Sequence, residues 1–275
     1  MKAFFLAWKE AFLYYFLILA DNCLLYPTLA VGFKNGIVAS MKKHIPNTIT
    51  CLNLFSGCIG VTLAFEGELI QAGYAIIIAA IFDFFDGLVA RMLHVSSPIG
   101  KELDSLADMV SFGFLPSVII FQLFEPTTAI AYGGEWIKYS AFLIAIFSAL
   151  RLAKFNLDTR QATVFIGLPT PACALFILSL PHIALSKDPV ISAYVQHPLI
   201  LLILILALSL LMVSEIPLMS LKFKDLQFSN NWYRYVLVTI SIILLVVLKI
   251  SAIPIIVITY IILSLTQHHK LSQQL

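Results

Sequence analysis

Charge is the scarcest resource in this 275-residue chain: only 12% of its residues are Asp, Glu, Lys or Arg, against 60% hydrophobic ones. No polar stretch is long enough to form a soluble domain, although the length alone would allow one or two. The formal net charge of +2 is too small to argue for a nucleic-acid partner. Cysteine is sparse as well. Cys23, Cys51, Cys58 and Cys173 show no CxxC or Cys/His ligand spacing, which leaves neither a disulfide framework nor a zinc site to read. They read as small apolar residues within helices. What is abundant is apolar sequence, with a mean hydropathy of +0.97. Runs of about 18 or more apolar residues recur along the whole length, so the expected fold is all-α, a polytopic helical membrane protein.

Eight spans are expected after residue 45, at roughly 47–65, 70–93, 99–123, 136–156, 165–185, 197–215, 231–249 and 252–267. Placing every second loop on one side collects Lys42, Lys43, Arg91, Lys101, Arg151, Lys154, Arg160, Lys222, Lys224, Arg234 and Lys270 there. The other side receives Lys138, Lys187 and Lys249. The basic side is the cytoplasmic one, with both ends of the eight-span chain on it. Residues 1–40 fit this pattern badly: their apolar sequence is interrupted by Lys9, Glu10 and Asp21, and it lacks the small-residue cleavage site of a secretory signal. They are read as a ninth span, an interfacial helix, or sequence upstream of a true start at Met41. The expected division is therefore an extra hydrophobic segment (1–40), a catalytic transmembrane domain (41–215) and C-terminal helices of that same domain (216–275).

Against this apolar background two acidic clusters stand out, Asp83 and Asp86 in IFDFFDGLVAR and Asp104 and Asp108 in GKELDSLADMVSFG. An ionisable side chain at membrane depth is costly, so it defaults to a functional reading with a partner. Asp83 and Asp86 are spaced i,i+3, and Asp104 and Asp108 i,i+4, so each pair shares one helix face. In the expected topology the second span ends, and the third begins, on the cytoplasmic side. Four carboxylates then converge just inside that interface. Hard oxygen donors in that number suit Mg²⁺ or Mn²⁺ rather than zinc. Two such ions about 3.5–4 Å apart would clamp a pyrophosphate. Gly87 and Ala90 leave room for a nucleotide, and Arg91 offers a planar donor fork to phosphate. The competing readings are a satisfied ion pair or proton path, and a divalent-cation transporter. Transport would favour acids through the full depth of the membrane rather than at one interface.

The full spacing, Asp83-x2-Asp86-Gly87-x2-Ala90-Arg91-x8-Gly100-x3-Asp104-x3-Asp108, resembles the signature of the CDP-alcohol phosphatidyltransferases. DSLADMVSFGFLP, RLAKFN (151–156), GLPTPA (167–172) and HIPNTITCLNLFSGCIG resemble the phosphatidylserine synthase branch of that family, over about residues 42–270. The resemblance implies an integral, multi-pass enzyme, in a bacterial inner membrane with its active site at the cytoplasmic face. It would transfer a phosphatidyl group from CDP-diacylglycerol to L-serine. It implies two divalent ions held by Asp83, Asp86, Asp104 and Asp108, with Asp108 also the general base. It further implies a CDP site that includes Asn53, Asp83, Gly87, Ala90 and Arg91, and a homodimer. Arg151, Lys154 and Asn156 are candidates for the donor phosphate or for the acceptor's carboxylate and polar groups; the plain alternative for the two cations is positive-inside flanking charge. Gly167, Pro169 and Pro171 either line that pocket or simply start a helix. Glycerol 3-phosphate, inositol phosphate and choline are the alternative acceptors. His94 reads as a loop histidine, the alternative being a helper at the cytoplasmic rim, and Glu66 and Glu68 read as solvated charges on the far side.

Overall fold

The computed structural model describes residues 34–124, 134–158, 165–186, 188–219 and 228–266, with the side chains of 34–43 and 228–230 left aside. The basic residues Arg160, Lys187, Lys222, Lys224 and Lys270, and the whole of 1–33, lie outside this set. The chain divides into two units, Met1–His44 and Ile45–Leu275. Only a helical backbone from residue 34 is described for the first, and everything below concerns the second.

Helix α1 (Lys34–Phe65) is followed by α2 (Leu69–Met92) and α3 (Pro98–Asp108). A π-helical segment, Met109–Phe114, leads without a break into α4 (Leu115–Leu123). A 3₁₀ stretch, Glu135–Phe142, opens α5 (Leu143–Leu157). Then come β1 (Phe165–Ile166), α6 (Thr170–Leu178), α7 (Leu180–Ala184), α8 (Pro189–Val195), α9 (Pro198–Val213) and β2 (Pro217–Leu218). Helix α10 (Phe228–Leu248), a 3₁₀ turn (Lys249–Ala252) and α11 (Ile253–Thr266) complete the order.

Among the described residues, five helices are long and apolar enough to cross a membrane, or six if α8 and α9, bent by 54°, count as one span. The protein is thus an integral membrane protein, with fewer spans by length than the eight expected. Two causes account for the difference. The fifth expected span shrinks to Thr170–Ala184, because Phe165–Ile166 form a strand and Gly167 turns the chain at φ +72°. The seventh and eighth run together as Asn231–Thr266, 36 residues, about 54 Å if it were straight. It is not straight: Lys249 adopts a positive φ of 54° at the start of the 3₁₀ turn. Leu237 from α10 and Tyr260 and Leu263 from α11 gather around the same Met219, so the two halves fold back as a hairpin, the two separate passes expected at 231–249 and 252–267.

Helices in lipid gain little from apolar contact and associate where small residues allow close approach. A Cβ on Gly57 would lie 2.4 Å from Ser111 Oγ, and one on Gly113 would lie 2.9 Å from Ser148 Cβ. These positions seat α1 and α5 directly against the π-helical segment. The largest buried side chains, Phe112, Leu115, Ile119, Ile144, Ile177 and Ile205 among them, fill the space between α4, α5, α6 and α9.

Hydrogen bonds fix the direction of travel. Gln122 Nε2 donates to the Ala64 carbonyl at the far end of α1 and α4. At the opposite end Lys101 Nζ donates to the Asn156 carbonyl, joining the start of α3 to the end of α5. The ends of α2, α5 and α9 and the starts of α3 and α6 therefore share one end of the bundle. The strand pair sits there too, with Phe165 opposite Leu218 and Ile166 opposite Pro217. Gly167 at φ +72° turns the chain onto the end of α9, and Leu168 N–H donates to the Leu211 carbonyl. A carbonyl that the helix end would leave bare is satisfied in this way.

Candidate functional site

The four acids come from two neighbouring helices, as their spacing requires, and three of them gather most tightly. Asp83, Asp104 and Asp108 each bring a carboxylate oxygen within 4.8 Å of the others. Asp86, one turn along α2, stands outside that trio. Its Oδ2 accepts a hydrogen bond from Thr50 Oγ1 at 2.7 Å. Asp86 and Asp108 are buried, and Asp83 and Asp104 half-buried. Three carboxylates this close repel one another strongly in a weakly polar setting unless a cation or a proton neutralises them. The donor set fits a hard divalent ion: carboxylate oxygens only, without a His or Cys among them.

Local structure explains how the acids are presented. Helix α2 ends with the Val95 N–H donating to the Ala90 carbonyl and the His94 N–H to the Arg91 carbonyl. His94 sits at φ 52°, the left-handed residue of a helix-closing motif that usually carries glycine or asparagine. This accounts for His94 as a turn residue. Helix α3 starts three residues later: Ser97 Oγ caps the Gly100 N–H at 3.0 Å and Pro98 takes the first helical position. The tight reversal sets the last turns of α2 beside the first turns of α3. Gly100 permits a further close approach, since a Cβ there would lie 2.9 Å from Asn47 Oδ1.

The π-helical segment begins at the residue after Asp108. A π turn holds one residue more than an α turn and is often found at functional sites. It shifts the helix phase, so Asp104 and Asp108 can face α2 while Phe112 and Leu115 face the core. No apolar periodicity signalled this segment in advance.

Helix α1 supplies the third wall. Asn53, wholly buried, donates from Nδ2 to Asp108 Oδ1 at 3.2 Å. Its backbone carbonyl accepts from Ser111 Oγ at 3.0 Å, and its own Oδ1 has no partner among the described residues. Asn53 thus touches the acid expected to act as base. Thr50 was not among the expected site residues; PNTITCLN places it one turn from Asn53, but nothing in the sequence points it at Asp86.

The remaining expected residues fall into two groups. Gly87 and Ala90 lie on α2 beside the acids, and a Cβ on Gly87 would meet nothing closer than Arg91 Nη2 at 4.0 Å. Arg91 is exposed, and its Nε donates back to the Gly87 carbonyl at 2.9 Å. On α5, Arg151 is only 7% exposed. Its guanidinium lies over the Phe155 ring at 4.9 Å, with Nη1 3.5 Å from Thr170 Oγ1, within electrostatic reach of Asp108. Its Nε has no partner among the described residues. Lys154, by contrast, points outward and pairs with Glu215 at 3.3 Å. Asn156 Nδ2 donates to Ser105 Oγ at 2.8 Å, tying α5 to α3 next to Asp104. Pro169 is the residue before α6 and Pro171 lies in its first turn, so both do start a helix. Cys51, Cys58 and Cys173 are free.

Comparison with known proteins agrees with this architecture. The family model for CDP-alcohol phosphatidyltransferase matches residues 43–261. A CDP-diacylglycerol–serine O-phosphatidyltransferase of Helicobacter pylori is 36% identical over 135 residues, 48% of this chain and 55% of that protein. One of Mycobacterium leprae is 31% identical over 181 residues, 63% of this chain and 57% of that protein. For one of Bacillus subtilis the identity is 32% over 174 residues, 63% of this chain and 89% of that protein. The chain thus spans little more than half the length of the first two relatives.

Proposed function

The chain belongs to the CDP-alcohol phosphatidyltransferase family, and from that premise we propose that it transfers a phosphatidyl group from CDP-diacylglycerol to L-serine, releasing CMP. The observation that carries the reading is the trio Asp83, Asp104 and Asp108, next to open space at Gly87 and a buried guanidinium at Arg151. The shared name of the three relatives supports serine as the acceptor.

Asp83, Asp86, Asp104 and Asp108 would hold two divalent ions, Mg²⁺ or Mn²⁺. A cation bound there supplies the positive charge that a pyrophosphate needs on leaving water. The protein's own groups do the rest. Gly87 and Ala90 leave the α2 surface bare for the CDP moiety, with the Arg91 fork at its rim. Asn53 holds Asp108 in place, and Asp108 accepts the proton of the serine hydroxyl. The serine oxygen forms a bond to the lipid-linked phosphorus, the bond from that phosphorus to the CMP oxygen breaks, and CMP leaves. Arg151 suits the carboxylate of an amino-acid acceptor: its cationic donors are buried and incompletely used, and truncating a buried charged partner is costly. Asn156, with Ser105, offers polar atoms beside Asp104. Lys154 sits on the rim, where Glu215 competes for it.

In this reading the basic end of the bundle faces the cytoplasm of a bacterial inner membrane. The diacylglycerol chains stay in the bilayer while CDP occupies the polar mouth. A homodimer is part of the same proposal.

The test is CMP release by purified protein given CDP-diacylglycerol and Mn²⁺ or Mg²⁺, with L-serine, glycerol 3-phosphate, inositol phosphate and choline tried separately. The expected result is release with serine alone, abolished by EDTA and by Asp108→Asn in a protein that still folds. Release with a different alcohol would keep the chemistry and overturn the acceptor. No release with any of them would overturn the reaction.

A further inference from the structure

Thr50 lies in the buried stripe of α1, one turn before Asn53, and is itself buried. Its Oγ1 is 2.7 Å from Asp86 Oδ2 and 3.1 Å from the Pro46 carbonyl four residues back. The hydroxyl has one proton to give, and the shorter, charge-assisted contact to a carboxylate is the stronger claim on it. Threonine in a helix can turn its hydroxyl toward the preceding turn, a choice valine lacks. Here that rotamer delivers the proton across to α2. Asp86 is also the one acid of the four that the trio does not gather, so its carboxylate needs another anchor. Asn53 makes the matching contact to Asp108, and α1 therefore reaches one acid on each of the other two helices.

We propose that Thr50 is a positioning residue for the cation site: its hydroxyl fixes the Asp86 carboxylate beside the Asp83–Asp104–Asp108 trio. The inference rests on the cation-binding reading of those acids. Groups that orient ligands from behind typically cost about 10–100-fold in metal affinity when removed. Thr50→Val preserves shape and removes only the hydroxyl, so its Mn²⁺ affinity should fall by about 10-fold or more. Thr50→Ser should stay close to the parent.

Mn²⁺ titration of the detergent-solubilised full chain, followed by electron paramagnetic resonance of the free ion, reads this without turnover. Melting in the absence of cation checks that each variant is folded. Should Thr50→Val fold poorly, Thr50→Ala, which also removes the hydroxyl, carries the test in both the parent and the Asp86→Asn background. The Asp86→Asn background also asks whether Thr50 acts through Asp86: the effect of removing the hydroxyl should vanish there. Unchanged Mn²⁺ affinity in Thr50→Val, equal losses in the valine and serine variants, or an undiminished effect in Asp86→Asn would each overturn the role of Thr50 while leaving the cation site standing. Absence of Mn²⁺ binding by the parent protein would overturn both.

Discussion

At Gly87 an added methyl group has open space, whereas at Gly57 it would lie 2.4 Å from Ser111 Oγ and 3.0 Å from the Ser111 Cα. The two glycines sit in neighbouring helices and carry opposite loads. Gly57→Ala should force α1 away from the π-helical segment and lower stability by about 1–3 kcal/mol, as overpacking does, an effect seen as a lower melting midpoint. Gly87→Ala should leave the midpoint in place and instead raise the KM for CDP-diacylglycerol, since only a bound nucleotide would occupy that space. A fall in midpoint for Gly87→Ala without a KM change would remove Gly87 from the proposed nucleotide site. The acids were legible at this scale because their spacing falls on single helix faces, and their interruption of apolar sequence needs no partner to be noticed. Thr50 was not legible, because its hydroxyl finds Asp86 across 36 positions of sequence. Threonine in an apolar helix is otherwise unremarkable. Lys154 shows the converse: its position in RLAKFN invited a substrate role, and only the fold brings Glu215 alongside.

Helix ends were harder to read than helix middles, and the strained residue at the end of α2 illustrates why. His94 takes a left-handed conformation at φ 52°, which costs a residue with a Cβ about 1–2 kcal/mol. Glycine would relieve that strain and return part of the gain as unfolded-state entropy. His94→Gly should therefore stabilise the protein by up to about 1 kcal/mol and keep its activity, while a β-branched His94→Val should destabilise it. Thermal melting of both variants, with an activity assay alongside, checks the prediction; loss of turnover in His94→Gly would give the imidazole a role beyond the turn. Similar reasoning applies to residues 165–169. GLPTP reads as a helix opening, and the helix does open at Thr170. The preceding residues are apolar enough to extend a span on paper, yet Phe165 and Ile166 form a strand paired with Pro217–Leu218, a partner about fifty residues away that periodicity cannot reveal.

Hydropathy exposed the architecture of the whole molecule more readily than its span count. Apolar length identified the helices and placed the fold-back between the seventh and eighth expected spans, where Lys249 turns the chain, but it missed the shortness of α6–α7. The alternation of chain direction was legible from the basic residues: Arg91, Lys101, Arg151 and Lys154 belong to the end where α2, α3 and α5 meet, and Lys138 and Lys249 to the other. A cysteine at Ser97, in a chain whose native cysteines are replaced, should accordingly react with a membrane-impermeant maleimide in inverted vesicles and not in intact spheroplasts. The reverse pattern would turn the protein over in the membrane. That all four acids lie within about 15 Å of one end of their helices matters beyond catalysis. If the lipid product is made at that end, every new molecule enters a single leaflet. The membrane then gains area on one side only, and balanced growth requires a separate route for headgroups to cross to the other.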